Sequence, residues 1–344
     1  LSADERGVPE AADEFGILRL PADAPVGSDI ARYLGLDDAI LDLSITPDRG
    51  DLLSLLGVAR ELYGLFPEAE WKNNPAGQTP AEGAAEWPID FKGIYLPDER
   101  CGKYCLGMAT GLKTGPSPLK TRIALTLLGM RPISNMVDAS NIAMLVMGQP
   151  THAFDAMRLP APEITVRGAA AGESIKTLDG KHHDLEESDL LITSGGEPVG
   201  IAGVMGGEGS EILPRTETVL LEAASFDAIS VSRTSRRLGI PSEAAFRFAR
   251  TVDPALAETT LAYIANLLKE WGCAETAYVI KGASSGAPEE RRVSLTKKNL
   301  KKILLTDDLD RADEILARFG LTRTASEEDS RTYSVPSRRP DINM

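Results

Sequence analysis

The sequence predicts an α+β protein with more than one domain, and three observations support this. Its 344 residues exceed what one hydrophobic core usually organises. Strand-like and helix-like segments follow each other without regular alternation, which favours a mixed sheet over a doubly wound parallel sheet. Two stretches, 71–85 and 282–288, have the Gly, Pro, Ala, Asn and Ser content of linkers. We therefore predict three units, at residues 1–75, 76–285 and 286–344.

Composition excludes several classes of protein. The chain has 37 basic and 51 acidic residues, a net charge of −14, which argues against a nucleic-acid binder held by global electrostatics but leaves a local basic face open. No apolar run is long enough to cross a membrane, and no targeting segment opens the chain, so we expect a cytoplasmic protein. Cys101, Cys105 and Cys273 lack zinc-site spacing and fit reduced packing cysteines. Because the chain opens on Leu1 and stops soon after a strand-like segment, we expect a piece of something longer.

The first unit reads as a small mixed segment. We predict extended chain over 15–20, a helix over 28–34, a strand over 39–45 and then a second helix. Asp51 is the predicted cap of that second helix. Its predicted apolar face repeats at three and four residues and consists of Leu52, Leu55, Leu56, Ala59 and Leu62.

The central unit is predicted to carry both strands and helices. Its strand-like segments are 89–95, 104–109, 163–167, 189–193, 199–204 and 218–221. Two helices share a polar cap, an early proline and a closing glycine, namely Ser117, Pro118 and Gly129, and Asp253, Pro254 and Gly272. A further helix is capped by Asp138 or Ser140 and ends near Gly148. The second Pro-initiated helix carries a predicted core stripe of Leu261, Ile264, Leu268 and Trp271.

A hairpin is predicted at Asp179-Gly180. His182 and His183 follow its tip and suggest a metal site, but adjacent strand residues point to opposite faces, so we favour solvated polar side chains. In the third unit a basic stretch over 291–302 precedes a helix over 308–319, closed by Gly320, and a strand over 332–335. We expect this unit to be incomplete, because too little chain follows to close a core.

Four features could carry chemistry, and each also has a purely structural explanation. The run Gly200–Gly207 lacks the Lys and Ser or Thr of a phosphate loop, so it serves either tight packing or close approach to a ligand. His152, with Asp155 as a possible orienting group, is more often structural than catalytic when it stands alone. Glu222 interrupts an apolar strand and needs a partner or a polar pocket. A group of arginines forms either a solvated helix face or a phosphate-contacting patch: Arg233, Arg236, Arg237, Arg247 and Arg250.

Five ordered segments give these residues a context. They are 42–62, 137–155, 201–207 with Leu221-Glu222, 236–254 and 335–341. Together they resemble the signatures of the bacterial phenylalanyl-tRNA synthetase beta subunit family, over nearly the whole chain from about Phe15. The resemblance implies the end of a first domain, an entire editing domain, and the start of a small helical domain.

The resemblance also implies a function. In that family the central domain hydrolyses tyrosine wrongly attached to tRNA(Phe), without a cofactor, while ATP and magnesium serve the whole enzyme. The implied partners are tRNA(Phe) and the alpha subunit, in a heterotetramer of two alpha and two beta chains. Amino-acid activation belongs to the alpha chain, so no aminoacylation by this chain alone is expected. The alternative is a non-catalytic module that binds tRNA or scaffolds the alpha subunit and has lost editing.

The family's editing pocket maps onto eight residues of this chain: Ser140, Asn141, His152, Ala202, Gly203, Glu222, Ser242 and Ala244. Glu222 would accept a hydrogen bond from the tyrosine phenol, His152 and Ser140 would hold water or the tRNA end, and the Gly203 backbone would approach the substrate. Arg233, Arg236 and Arg237 are the predicted tRNA contacts. No serine or cysteine has an obvious base beside it, so water is the expected nucleophile, with the terminal ribose hydroxyl of tRNA assisting.

The chain also departs from the family pattern. Serine replaces the commoner threonine at Ser140, and glycine replaces proline at Gly50. Phe246, Ala249 and Thr251 stand where histidine, glutamate and glycine are usual, which affects the ion pairing expected after Ser242. Asp341 matches the first of four magnesium-binding carboxylates, whose other three would lie beyond this sequence.

Overall fold

The computed structural model describes residues 18–77, 87, 89–286 and 290–342, with helices and strands in mixed order. The helices are α1 Ile30–Leu34, α2 Leu55–Leu65, α3 Leu119–Leu127, α4 Asn135–Met147, α5 Ala228–Leu238, α6 Glu243–Phe248, α7 Ala257–Glu270, α8 Lys297–Leu304 and α9 Leu309–Arg318. The strands are β1 Gly93–Tyr95, β2 Cys101–Thr110, β3 Thr151–Asp155, β4 Glu163–Gly168, β5 Ser174–Lys176, β6 His182–Asp184, β7 Leu190–Ser194, β8 Glu197–Ile201, β9 Met205–Gly206, β10 Thr218–Phe226, β11 Thr276–Ser284, β12 Arg292–Thr296, β13 Thr322–Ser326 and β14 Ser330–Ser334. The predicted α+β class is confirmed, and all six strand segments predicted for the central unit overlap observed strands.

Two sheets form the centre of the molecule. One is a five-stranded mixed sheet in the order β1-β4-β7-β8-β9, in which β1 and β4 are parallel and the other pairs antiparallel. The other is an antiparallel sheet in the order β11-β2-β10-β3. Leu106 and Phe154 of the second sheet share one buried apolar cluster with Val166 and Leu191 of the first. The two sheets therefore pack face to face around a common core.

Strand β10 shows how this packing positions a polar residue. Val219, Leu221 and Ala223 belong to a second apolar cluster, which α4 and α7 cover, while Leu220 and Ala224 belong to the cluster between the sheets. Side chains alternate along a strand. Glu222, which lies between two residues that face the helices, is therefore directed into the space between the sheets.

The first unit differs from its prediction. Residues 39–45 form no strand, and Ile40 and Leu41 are exposed, since no neighbouring strand in the described part of the chain pairs with them. Residues 18–20 are also irregular, and 15–17 lie outside the described residues. No strand is present in 18–77, so the predicted mixed character of this unit is wrong over those residues.

The second helix, α2, also begins later than predicted. Ser54 caps it, with its hydroxyl accepting from the Gly57 N–H at 3.0 Å. Asp51 instead forms an ion pair with Arg49 at 2.9 Å. The predicted apolar face is only partly buried, since Leu56 is fully buried whereas Leu55 and Leu62 are exposed.

Two further predicted caps are wrong. The Ser117 hydroxyl donates to Asp138 Oδ2 at 2.6 Å and does not cap α3. Helix α4 is capped by Ser134, not by Asp138 or Ser140, and it ends at Gly148 as predicted. Asp253 caps the turn that leads into α7, which is also as predicted.

The last unit contains more than helices. Strands β12, β14 and β13 form an antiparallel sheet, accompanied by α8 and α9, so the unit is not the small helical domain that the resemblance implies, although the predicted strand over 332–335 overlaps β14. Leu300, Leu309 and Tyr333 are buried in it despite its short length. The linker predicted over 282–288 is wrong at 282–284, which belong to β11, and 287–289 lie outside the described residues. Among the helices of the described ranges, none could span a membrane.

Candidate functional site

A cavity of about 210 Å³ opens between the two central sheets. Leu178, Ile192, Val204 and Phe248 supply much of its apolar wall. Three side chains with polar groups border it, namely His152, Glu222 and Ser242. An apolar pocket with a few converging polar groups is the usual form of a small-molecule site.

His152 and Glu222 face each other across neighbouring strands. They are direct register partners of β3 and β10, and directly opposed side chains lie on the same face of a sheet. Glu222 is only 5% exposed. Within the described residues, neither Glu222 Oε2 nor His152 Nε2 has a hydrogen-bond partner, although both atoms are buried. Orphaned polar atoms of this kind are rare in native structures and often mark a functional site.

Burial sets the charge of both groups. It raises the pKa of Glu222 to about 8 and lowers the pKa of His152 to about 4, because desolvation penalises the charged form in each case. Near neutral pH the pair is therefore mainly a neutral carboxylic acid beside a neutral imidazole.

Two glycines of the Gly200–Gly207 run explain its composition. A Cβ on Gly206 would lie 2.4 Å from His152 Cε1, so the imidazole occupies the space that a side chain would need. Gly203 has a φ of +69°, and a Cβ there would lie 2.9 Å from Val231 Cγ2. The run thus serves both packing and the close approach of a site residue.

Helix α6 closes one wall of the cavity through Ala244 and Phe248. Ser242 caps this helix, accepting from the Ala245 N–H at 3.0 Å and donating to the Val204 carbonyl at 2.8 Å. The Ser242 hydroxyl is therefore occupied structurally, although the residue borders the cavity.

The predicted pocket residues fall into two groups. His152, Gly203, Glu222, Ser242 and Ala244 line the cavity. Ala202 is buried beside them, and its N–H donates to the Leu190 carbonyl at 2.9 Å. Ser140 and Asn141 lie on α4 and are not among the lining residues, although Ser140 Oγ is buried without a partner in the described part of the molecule. Their predicted roles remain predictions.

Sequence reasoning missed Tyr104. It lies on β2, fully buried, opposite Ala224 and therefore diagonal to Glu222 on the same face of the sheet. Its hydroxyl is near enough to the Glu222 carboxyl to influence its pKa, but it makes no well-aligned hydrogen bond within the described chain. No local signal marks it, since the pairing of β2 with β10 joins distant segments.

Asp155 does not orient His152. The two are three positions apart on β3 and so point to opposite faces. Asp155 Oδ2 instead accepts from the Thr216 hydroxyl at 2.7 Å. His182 and His183 lie on β6 of the predicted hairpin, and no cluster of potential metal ligands occurs among the residues described.

The arginines serve different purposes. Arg233 and Arg236 are exposed on α5, whereas Arg237 pairs with the buried Asp189 and lies 3.6 Å from Glu186. Arg247, on α6, is buried and pairs with Glu243 at 2.7 Å. The Arg250 guanidinium stacks 3.6 Å from the centre of the Phe246 ring.

Asp341 is engaged by a neighbour. Both of its carboxylate oxygens accept from Arg339, at 2.8 and 2.7 Å. This pairing lowers the pKa of Asp341 through the Arg339 hydrogen bond. A magnesium ion at Asp341 would have to compete with that guanidinium.

Comparison with known proteins places this fold in a family. The model of the B3/4 domain matches residues 100–273. The phenylalanine–tRNA ligase beta subunit of Carboxydothermus hydrogenoformans is 38% identical over 347 residues, which is 100% of this chain and 43% of that protein. The same subunit from Lactiplantibacillus plantarum is 37% identical over 100% of this chain and 42% of its own length, and that from Moorella thermoacetica is 43% identical over 74% and 32%.

The chain spans less than half the length of these relatives. A solved N-terminal fragment of the phenylalanyl-tRNA synthetase beta subunit from Pyrococcus horikoshii is a remote likeness, 14% identical with a TM-score of 0.39 over 88% of this chain and 82% of that one. Because the family model covers half of the chain, the chain belongs to the B3/4 domain family, and it is similar over its whole length to phenylalanine–tRNA ligase beta subunits.

Proposed function

We propose that this chain hydrolyses tyrosine from mischarged tRNA(Phe), as the editing part of a phenylalanine–tRNA ligase beta subunit. The observation that carries the proposal is Glu222 Oε2, a buried polar atom without a partner in the described chain, at an apolar cavity. Such an atom is satisfied by a ligand that places a hydroxyl against it.

The cavity has the size of an aromatic side chain. An apolar cavity of about 150 Å³ binds benzene, and pockets for drug-sized ligands begin at about 300 Å³. The cavity here, at about 210 Å³, lies between these values and suits a ring with one polar substituent.

Glu222 supplies the discrimination that such a ring needs. A neutral carboxyl group still accepts through its carbonyl oxygen and donates through its hydroxyl, so it can pair with a phenol. Phenylalanine would leave the buried group unpaired. A site that bonds a substrate hydroxyl rejects the analogue without it by about ten-thousandfold or more, whereas an apolar pocket rejects an added hydroxyl by only about a hundredfold; both values come from synthetases.

Water is the nucleophile we propose. The Ser242 hydroxyl is occupied by Val204 and Ala245. Burial raises the pKa of the Cys105 thiol to about 11 and also raises that of Cys101, so neither is a thiolate near neutral pH. The neutral His152 imidazole can hold the attacking water, with the terminal ribose hydroxyl of the tRNA assisting. The water oxygen bonds to the ester carbon, the ester C–O bond breaks, and tyrosine and a free tRNA hydroxyl leave.

The wider assignment rests on the relatives. We propose that the full-length subunit acts in the cytoplasm with an alpha subunit, which carries ATP- and magnesium-dependent activation, and that this chain alone forms no Phe-tRNA. Arg233 and Arg236 are exposed cations suited to tRNA phosphates. Arg237 is the weaker candidate because Asp189 already holds it.

Deacylation tests the proposal. Full-length subunit in its native complex should release tyrosine from Tyr-tRNA(Phe) much faster than from Phe-tRNA(Phe), and the variant Glu222→Ala should lose this preference. The matched control Glu217→Ala removes an exposed carboxylate just before the same strand and should behave as the unaltered protein. A complex that leaves Tyr-tRNA(Phe) intact would favour a module that only binds tRNA or the alpha subunit.

A further inference from the structure

Three polar atoms without partners gather on one face of the four-stranded sheet. They are Tyr104 Oη, His152 Nε2 and Glu222 Oε2, and within the described residues none of them makes a hydrogen bond. His152 and Glu222 border the cavity, whereas Tyr104 does not. The buried hydroxyl of Tyr104 therefore needs an explanation that direct contact with a ligand does not supply.

The sheet register places Tyr104 beside Glu222. Tyr104 pairs with Ala224, and Glu222 pairs with Leu106, so the tyrosine and the glutamate are diagonal neighbours on adjacent strands. Diagonal neighbours are within reach of aromatic and long side chains. Burial is the main cause that raises the pKa of the Tyr104 phenol, with the Glu222 charge next, so the two groups share one desolvated environment.

The Tyr104 ring has little freedom to move. It is fully buried, and its centre lies 6.5 Å from that of Phe226. Of the other titratable groups facing Glu222, Cys101 bonds through its thiol to the Lys103 carbonyl at 3.6 Å, and His152 borders the cavity. Tyr104 is thus a fixed hydroxyl on the protein side of the Glu222 carboxyl.

We infer that Tyr104 is a positioning residue: when a phenol enters the cavity, the Glu222 carboxyl turns one oxygen onto the fixed Tyr104 hydroxyl, a hydrogen bond that is not formed among the described residues, and keeps the other oxygen for the phenol. This inference rests on the proposed function. The carboxyl is then shared between two phenols, one from the protein and one from the substrate. Without the first, the carboxyl group is free to rotate and its donor and acceptor atoms lose their fixed direction.

The test is Tyr104→Phe in the full-length subunit within its native complex. The ratio of Tyr-tRNA(Phe) to Phe-tRNA(Phe) hydrolysis should fall two- to tenfold, the range for one neutral hydrogen bond. Tyr333→Phe is the matched control, because it removes an equally buried phenol that bonds to Asp313 at 2.6 Å in the last unit. It should lower the melting temperature and leave the ratio unchanged.

A double-mutant cycle separates positioning from packing. In the Glu222→Ala background, Tyr104→Phe should no longer change the ratio. An equal loss of selectivity in both backgrounds, or a variant that differs from the unaltered protein only in melting temperature, would overturn the inference.

A stability measurement separates the inference from the proposed function. Because the Tyr104 hydroxyl lowers the pKa of Glu222 relative to burial alone, Tyr104→Phe should move the loss of stability with rising pH to higher pH. If the unaltered complex hydrolyses no Tyr-tRNA(Phe), the proposed function fails, and an unmoved pH profile would then overturn the contact between Tyr104 and Glu222 as well.

Discussion

Glu222→Ala is the most informative perturbation of this protein. The side chain is buried on β10, and its Oε2 atom has no partner among the described residues. Alanine removes the carboxyl group and leaves the apolar wall of the cavity. Binding and hydrolysis of the tyrosine ester should therefore lose one contact, while phenylalanine activation, which we assign to the alpha subunit, should not change.

The expected magnitude follows from two contributions. A hydrogen bond between the neutral carboxyl and the tyrosine phenol is worth about 0.5–1.5 kcal/mol, and an unsatisfied buried group facing phenylalanine costs about 1–3 kcal/mol. Ser242 on the wall is only half-buried, so water reduces the second value. We expect selectivity for Tyr-tRNA(Phe) to fall by roughly ten- to a hundredfold.

Single-turnover deacylation of both charged tRNAs measures this directly. Glu222→Gln keeps a neutral donor and acceptor of the same shape, so it should retain most of the selectivity near neutral pH. A loss in Glu222→Gln as large as in Glu222→Ala would mean that an ionised carboxylate reads the phenol. Unchanged selectivity in Glu222→Ala would refute recognition by this residue altogether.

The raised pKa of Glu222 predicts that the stability of the fold depends on pH. This pKa rises from 4.5 to about 8 on folding, so the folded state binds the proton more tightly than the unfolded state. The stability this gives is fully present below pH 4.5 and is lost as the pH rises toward about 8. His152 acts in the opposite direction, because its pKa falls from 6.5 to about 4 and stability is lost as the pH drops through that window. In urea unfolding, Glu222→Gln should not lose stability as the pH rises from 4.5 toward about 8. It should keep the loss of stability that His152 causes as the pH falls toward about 4.

Three other substitutions test separate features. Gly206→Ala should displace the His152 ring, since the new Cβ would lie 2.4 Å from it, and should slow Tyr-tRNA(Phe) hydrolysis by roughly a hundredfold in the same assay. Thr251→Gly should raise the free energy of unfolding in urea by about 0.5–1 kcal/mol, because relief of a left-handed β-branched residue exceeds the entropy cost of glycine. The φ of Thr251 is +68°. Arg233 and Arg236 changed together to Ala should reduce the salt dependence of tRNA binding measured by titration; an unchanged slope would leave them a solvated face.

Much of the cavity was predictable from local pattern. A carboxylate inside an apolar strand must either face a core or a pocket, and the alternation along β10 turns Glu222 into the space between the sheets. The signature that contains His152 spans most of α4, and this helix ends at Gly148 as predicted, so His152 follows a helix end on β3. Both signals depend only on residues that are neighbours in the sequence, so they can be recognised without knowledge of the fold.

The contacts that could not be predicted from the sequence are those between segments that are distant in the chain. Tyr104 reaches Glu222 only because β2 pairs with β10 at one particular offset. Ser117 has the sequence position of a helix cap, but the fold brings Asp138 beside it and its hydroxyl donates there instead. Asp51 also has the position of a cap, but its carboxylate pairs with Arg49. The protonation state of Glu222 also cannot be predicted from the sequence, because it depends on burial between the two sheets.

The signatures that lie outside the cavity meet behind α6. The Leu53 carbonyl accepts from Arg247 at 3.3 Å, and Ser337 donates to Asp253 at 2.6 Å, so the first and last units both hold the segment that follows the cavity wall.

Two departures from the family pattern, at Gly50 and Thr251, lie next to each other in the fold. A Cβ on it would lie 2.1 Å from the Arg250 carbonyl oxygen, so the proline usual at this position would collide with the chain as it runs here. The adjoining Thr251 takes the left-handed backbone that the family's usual glycine would adopt without strain. Glycine at one position and a strained threonine at the other thus lie in direct contact, on the far side of the helix that carries Ala244 and Phe248 into the cavity.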